Sequence, residues 1–92
     1  MFVAIAIHHV TPEHTDDMLA FMRRVIERTA GSPGLIDFEA CRDVVSGALA
    51  GYSRWDSQAA FEAGLEAITS LRDEREPKWT SKPDELITLE VL

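Results

Sequence analysis

The sequence of 92 residues has one cysteine, few basic side chains and no apolar stretch long enough to cross a bilayer. Because Cys41 is alone, no disulfide can form within the chain, and no group of cysteines and histidines has the spacing of a zinc site. A net charge of -7 has the wrong sign for binding a phosphate backbone or an anionic lipid surface. These absences argue against nucleic acid, membrane and metal partners, and they fit a reducing cytoplasm.

The chain does contain enough apolar material for a small core, since 46% of its residues are hydrophobic and 27% are charged. Both fractions are ordinary for a folded protein and unlike those of a disordered chain. At this length we predict a single domain over residues 1–92. The apolar run Phe2–Ile7 has no basic residue before it and is too short for a membrane span or a signal segment. We interpret it as part of a strand.

Periodicity in the first third of the chain predicts a strand followed by a helix. The strand covers Phe2–Val10 and ends before Thr11 and Pro12, which suit the N-cap and the first position of a helix. Apolar residues then recur at three- and four-residue steps as far as Thr29. Gly31 can take the left-handed conformation that ends a helix, so the boundary is expected there.

The rest of the chain predicts a hairpin, a second helix and a last strand. Strands Leu35–Arg42 and Ala48–Trp55 alternate and are close enough in sequence to pair antiparallel. Asp56 or Ser57 caps a short helix, and the final strand covers Leu86–Leu92. The order β-α-β-β-α-β predicts an α+β fold, with an antiparallel four-stranded sheet and both helices on one face.

The predicted sheet has apolar residues on both faces. In the first strand, Ile5 and Ile7 point to one side, whereas Ala4 and Ala6 point to the other. Two helices cover only one face of such a sheet, and soluble monomers rarely leave the second face open. We therefore predict a homodimer whose sheets face each other. The alternative is a lid formed by residues 72–84, a charged segment with two prolines that we predict to be a loop.

The junction between the third strand and the second helix, residues 53–61, reads SRWDSQAAF. Together with the order of elements, the long first helix and the Gly34-Leu35 entry to the second strand, it resembles the antibiotic biosynthesis monooxygenase domain family. The resemblance implies a ferredoxin-like protomer within a dimeric α/β barrel, and a pocket between each sheet and its helices. Known activities in that family include oxygenation of polycyclic phenols and quinols without a metal or flavin.

One branch of the family degrades haem with three residues: an Asn near the end of the first strand, a Trp that ends the third, and a His on the second helix. Trp55 matches the second of these. His8 stands where the Asn would be, and Leu65 lies at about the position of the His. No histidine follows His14, so an iron ligand of that kind is missing and haem degradation is disfavoured. We predict no cofactor.

Oxygenation without a cofactor requires a base that deprotonates a phenol and a water-poor cage that holds the anion beside dioxygen. His8 is the first candidate base, because an imidazole accepts a proton near neutral pH and this one shares a strand face with Ala4 and Ala6. The alternative for His8 is a residue at the core edge without a role. Tyr52 is the second catalytic candidate, because its hydroxyl can donate to a developing oxyanion; structural packing is the alternative.

Trp55 offers a flat wall for an aromatic ligand. Four other side chains are expected in the core and would line a pocket there: Phe21, Met22, Phe38 and Phe61. Asp37 and Glu39 share a face of the second strand, where a buried carboxylate pair would create a general base; we favour an exposed edge or a salt bridge. Cys41 is interpreted as a buried inert thiol, and Arg72–Glu76 as a solvated face.

Three functions remain open on the sequence alone. The first is a cofactor-free monooxygenase, an oxidoreductase acting on a small aromatic, phenolic or quinol-type substrate. The second is a non-catalytic module that holds a small apolar metabolite in the same cavity, because one scaffold hosts many functions. The third is a structural dimer whose cavity is filled by its own side chains.

Overall fold

The computed structural model describes residues 1–92. Its four strands are β1 (Phe2–His8), β2 (Leu35–Arg42), β3 (Leu49–Trp55) and β4 (Glu85–Glu90). They form one antiparallel sheet in the order β2-β3-β1-β4. Helices α1 (Thr15–Thr29) and α2 (Gln58–Ala67) pack on one face of it. This arrangement confirms the predicted α+β, ferredoxin-like fold.

Local sequence determines where the helices begin. A 3-10 turn at Pro12–His14 leads into α1, so the α-helix starts later than predicted. Thr11 occupies the N-cap position of this turn and Pro12 follows it, as predicted, but the Thr11 hydroxyl makes no capping hydrogen bond and donates instead to the carbonyl oxygen of Trp79 at 3.3 Å. Ser57 caps α2 by accepting a hydrogen bond from the backbone N–H of Ala60 at 3.1 Å.

The ends of the outer elements differ from the prediction by a few residues. β1 ends at His8 rather than Val10, and β4 begins at Glu85 and ends at Glu90. The segment before β4 contains two further 3-10 turns, Thr69–Glu74 and Pro77–Trp79, in place of a plain loop.

The core lies between the sheet and the helices in two clusters. The first consists of Phe2, Ala4, Trp55 and Phe61, and the second of Met18, Met22 and Leu49. Gly64 lets α2 lie directly on the first cluster, because a Cβ atom at this position would be 2.3 Å from Cη2 of Trp55. The absence of a side chain at one helical position therefore sets the distance between α2 and the sheet.

The outer face of the sheet is not covered by this chain. Ile87 and Leu89 are 42% and 49% exposed, and they pair with Ile5 and Val3 of β1. Residues 69–84 pack against α1 on the helix side, so they do not form a lid over the outer face. The homodimer through this face stays a prediction. Neither the length nor the hydropathy of any helix in the structure is sufficient for a membrane span.

Candidate functional site

A cavity of about 280 Å³ lies between the sheet and the two helices. Its apolar lining consists of Ala4, Ala6, Phe21, Met22, Val25, Phe38, Trp55, Phe61, Leu65, Ile68 and Leu86. Ligand pockets in proteins hold about 300 to 1,000 Å³, so this one lies just below that range and suits a compact ring compound. Because Ala4 and Ala6 still border open space, the cavity is not filled by its own side chains.

Most of the predicted site residues line this cavity, namely His8, Phe21, Met22, Phe38, Trp55 and Phe61. Tyr52 does not. Its neighbours Gly51 and Ser53 line the cavity, and side chains alternate along β3, so Tyr52 lies on the outer face of the sheet. The structure therefore does not bring the Tyr52 hydroxyl to this cavity, and a catalytic role for Tyr52 stays a prediction that the cavity does not support.

The carboxylates of β2 also lie away from the cavity. Asp37 and Glu39 pair in register with Arg54 and Tyr52 on the outer face, and both are exposed. They form no buried pair within this chain, which favours the exposed edge over the general base; the salt bridge across a dimer stays a prediction. Cys41 is exposed as well, contrary to the prediction of a buried thiol.

His8 lies at the end of β1, where the cavity lining becomes polar, and is only 8% exposed. Its Nδ1 atom is 3.0 Å from Oδ2 of Asp84. The ring geometry does not give an aligned hydrogen bond at this distance, so the contact becomes an ion pair only when His8 is protonated. With Nδ1 turned to Asp84, Nε2 is the nitrogen left for a ligand.

The protonation state of His8 follows from its position. Burial lowers the pKa of His8 below its usual 6.5, and the charge of Asp84 offsets this only in part. The imidazole is therefore neutral at pH 7 and able to accept a proton.

Asp84 is itself held by Arg75. Nη1 of Arg75 donates to Oδ2 at 2.5 Å, and Nη2 donates to Oδ1 at 3.2 Å. Burial acts to raise the pKa of Asp84, but the hydrogen bonds from Arg75 and the charge of His8 outweigh it and hold that pKa below 3.8. The guanidinium of Arg75 also lies over the ring of Phe21, with Cζ 5.7 Å from its centroid. Arg75, Asp84 and His8 therefore lie in a row, with the cation of Arg75 at one end and the neutral base His8 at the other.

Sequence reasoning missed Asp84 and Arg75, because both belong to a charged segment that was interpreted as a loop and a solvated face. The signal that could have found them is Trp79, the one large apolar residue in that segment. Its indole packs edge-on against Phe21, with ring centroids 6.5 Å apart, and its Nε1–H donates to Glu76 at 3.1 Å. A lone tryptophan in a polar stretch indicates docking onto a core.

The opposite end of the cavity is closed by Trp55, which is 2% exposed. Its Nε1–H donates to the hydroxyl oxygen of Ser53 at 2.9 Å, so the buried polar atom is satisfied. Phe61 meets the indole edge-on at a centroid distance of 5.9 Å. On the α2 side, Leu65 lines the cavity, and this helix offers no imidazole to a haem iron.

Comparison with known proteins gives one family match. The family model for the antibiotic biosynthesis monooxygenase matches residues 1–67. No curated protein matches the chain well enough to count as a relative.

Several solved structures have the same fold. Rv0793 from Mycobacterium tuberculosis is 17% identical with a TM-score of 0.86, over 99% of this chain and 94% of that one. A structure described as an antibiotic biosynthesis monooxygenase is 20% identical with a TM-score of 0.82, over 100% and 99%. A MhuD mutant with two manganese protoporphyrin IX bound per active site is 23% identical with a TM-score of 0.81, over 100% and 95%. At these identities the likeness shows the fold alone.

Proposed function

Because this chain belongs to the antibiotic biosynthesis monooxygenase family, we propose that it oxygenates a small phenolic or quinol-type substrate without a cofactor. The observation that carries the proposal is the environment of His8, a buried and neutral imidazole at the polar end of an otherwise apolar cavity. Such a base is suited to removing a phenolic proton in a place with little water.

The proposed first step is a proton transfer. The aromatic ring of the substrate lies among the apolar side chains, and its hydroxyl donates to Nε2 of His8. When His8 takes the proton, the new imidazolium lies 3.0 Å from a carboxylate oxygen of Asp84, which stabilises it. Arg75 keeps Asp84 ionised and in position. A well-placed base of this kind contributes about 10² to 10⁴ in rate.

The second step is oxidation of the phenolate by dioxygen. The ring carbon forms a bond to one oxygen atom, and the peroxide anion takes the proton back from the His8 imidazolium to give a hydroperoxide. Loss of water from this adduct then leaves a quinone. One oxygen atom ends in the product and the other in water, while all four electrons come from the substrate. Because the substrate is the reductant, the protein has only to bind it, remove its proton and exclude water.

The proposed assembly is a homodimer of one-domain protomers, each spanning residues 1–92, joined through the outer faces of their sheets. The support is the uncovered apolar surface that includes Ile87 and Leu89. A partner sheet would cover that surface from the side opposite to the helices and the cavity.

A second candidate function is a non-catalytic module that binds the same small aromatic molecule. One observation favours it: Tyr52 lies on the outer face, so the cavity lacks the tyrosine hydroxyl that was expected to stabilise an oxyanion. The two candidates differ in turnover and agree on binding.

The test is dioxygen consumption by the metal-stripped protein over a panel of hydroquinones and polycyclic phenols, with mass analysis of the products. We expect protein-dependent uptake with one oxygen atom in the product, and a loss of about 10² to 10⁴ in rate for His8→Ala. His14→Ala is the matched control, because His14 contacts Asp17 outside the cavity. Saturable binding without oxygen uptake would favour the binding module, and unchanged turnover in His8→Ala would remove His8 as the base.

A further inference from the structure

A second, polar cleft of about 450 Å³ adjoins the His8 end of the cavity. Its lining contains no hydrophobic residue, and three of its residues also line the apolar cavity: Arg72, Arg75 and Asp84. The two spaces therefore meet at these side chains. A ring held in the cavity can extend a polar substituent into the cleft.

The carboxylates at this junction already have partners. Asp84 accepts two hydrogen bonds from Arg75, and Glu85 lies 2.5 Å from Nε2 of His9. In the cleft, Glu76 accepts a hydrogen bond from the indole N–H of Trp79. Each negative charge is thus matched locally by a donor of this protein.

Arg72 differs from these residues because its guanidinium takes part in no ion pair and donates no side-chain hydrogen bond within the protein. Thr80 lines the same cleft and adds a hydroxyl group to it. A guanidinium without a partner, in a cleft that also offers a hydroxyl, is a donor set that matches a carboxylate, which arginine can bind through two parallel hydrogen bonds.

We propose that the ligand of this site is a hydroxylated aromatic carboxylic acid, with its ring in the apolar cavity and its carboxylate bound by Arg72. This inference rests on the proposed function, whose cavity it uses, and it narrows the substrate class. In a chain with a net charge of -7, an anionic ligand is repelled overall unless a local cation receives it. Arg72 is that cation, and it selects acids over neutral phenols.

The experiment measures binding by calorimetry without dioxygen, so that affinity does not depend on turnover. The probes are 2-naphthol and two hydroxynaphthoic acids, one with the carboxylate next to the hydroxyl and one with it on the other ring. We expect one of the acids to bind about tenfold more tightly than 2-naphthol, which is 1.4 kcal/mol. Arg72→Gln should abolish this preference, and Arg72→Lys should restore part of it.

The matched control is Arg28→Gln, because Arg28 is an exposed arginine at the end of α1 that borders neither space. It should keep the preference for the acid. Equal or tighter binding of 2-naphthol compared with both acids would overturn the inference, as would an equal loss of affinity for all three probes in Arg72→Gln. If 2-naphthol binds and is oxygenated without any preference for acids, the proposed function stands and this inference alone fails. If no probe binds, both fail.

Discussion

The two ends of the cavity are built in different ways. The closed end is formed by Trp55, Phe61 and Gly64, which belong to the consecutive elements β3 and α2 and bury their surfaces against one another. The open end joins His8, at the end of β1, to Arg75 and Asp84 from the segment before β4. The first end is apolar with its polar atoms satisfied, whereas the second holds charges in a half-buried setting. We infer that the closed end supports the fold and that the open end supports the chemistry.

The largest expected effect on stability is at the closed end. Trp55→Ala should lower the free energy of unfolding by about 3 to 5 kcal/mol, because it empties a buried site that the neighbouring helix cannot refill. Trp79→Ala is the matched change at the other end, and it should cost less because Trp79 is only half-buried. Urea unfolding of both variants measures the difference. An equal loss of unfolding free energy in the two variants would show that both ends of the cavity contribute equally to stability.

Gly64→Ala tests how closely α2 packs on Trp55 at the closed end. The new methyl group would clash with the indole of Trp55, so the ring or α2 would have to shift. We expect a loss of about 1 to 3 kcal/mol by overpacking, although alanine is the better helix former. Ala63→Leu adds more volume at an exposed position of the same helix and should change stability by no more than about 0.5 kcal/mol. A stabilised Gly64→Ala protein would contradict the packing described here.

The charged groups at the open end should make the free energy of unfolding depend on pH. The pKa of His8 is lowered in the folded protein, so the unfolded chain binds a proton more readily below pH 6.5 and stability falls as the pH drops through that range. The pKa of Asp84 is also lowered, and the stability that it contributes is lost only near and below pH 3.8. His8→Gln should therefore flatten the slope just below pH 6.5, which is at most about 1.4 kcal/mol per pH unit.

Urea unfolding between pH 7.5 and 5 measures this slope, with His14→Gln as the matched variant that removes a histidine outside the cavity. A slope that is as steep in His8→Gln as in the unaltered protein would show that His8 is not the buried neutral group described above.

The smallest effect is expected where the segment before β4 is tied to α1 at the surface. Arg24 and Glu74 form an ion pair there, and both side chains are accessible to solvent. Arg24→Gln should change the free energy of unfolding by less than about 1 kcal/mol, and less at high salt. A larger loss would indicate that this contact, rather than Trp79, docks the segment.

The closed end could be predicted from the sequence because its residues lie close together in the chain. The junction at residues 53–61 carries both the cap of α2 and two of the three aromatic rings of that core cluster. The order of strands and helices followed in the same way from local periodicity and turn residues. Only the exact ends of the elements and the 3-10 turns were missed.

The open end could not be predicted, because it depends on a contact between distant parts of the chain. Nothing in the local pattern of Arg75 and Asp84 distinguishes them from surface charges until Trp79 brings their segment onto α1. The placement of Tyr52 on the outer face has a simpler cause. Tyr52 and Trp55 are three positions apart on one strand, so they point to opposite faces and cannot both line one cavity.

The most direct test of the central claim is nuclear magnetic resonance of the imidazole of His8 during an anaerobic titration with 2-naphthol. The account predicts that this imidazole titrates below pH 6.5 in the free protein and that its signals shift as the ligand saturates. His8 signals that stay constant while the ligand binds, or that titrate above pH 6.5, would contradict the assignment of His8 as the neutral base of the cavity.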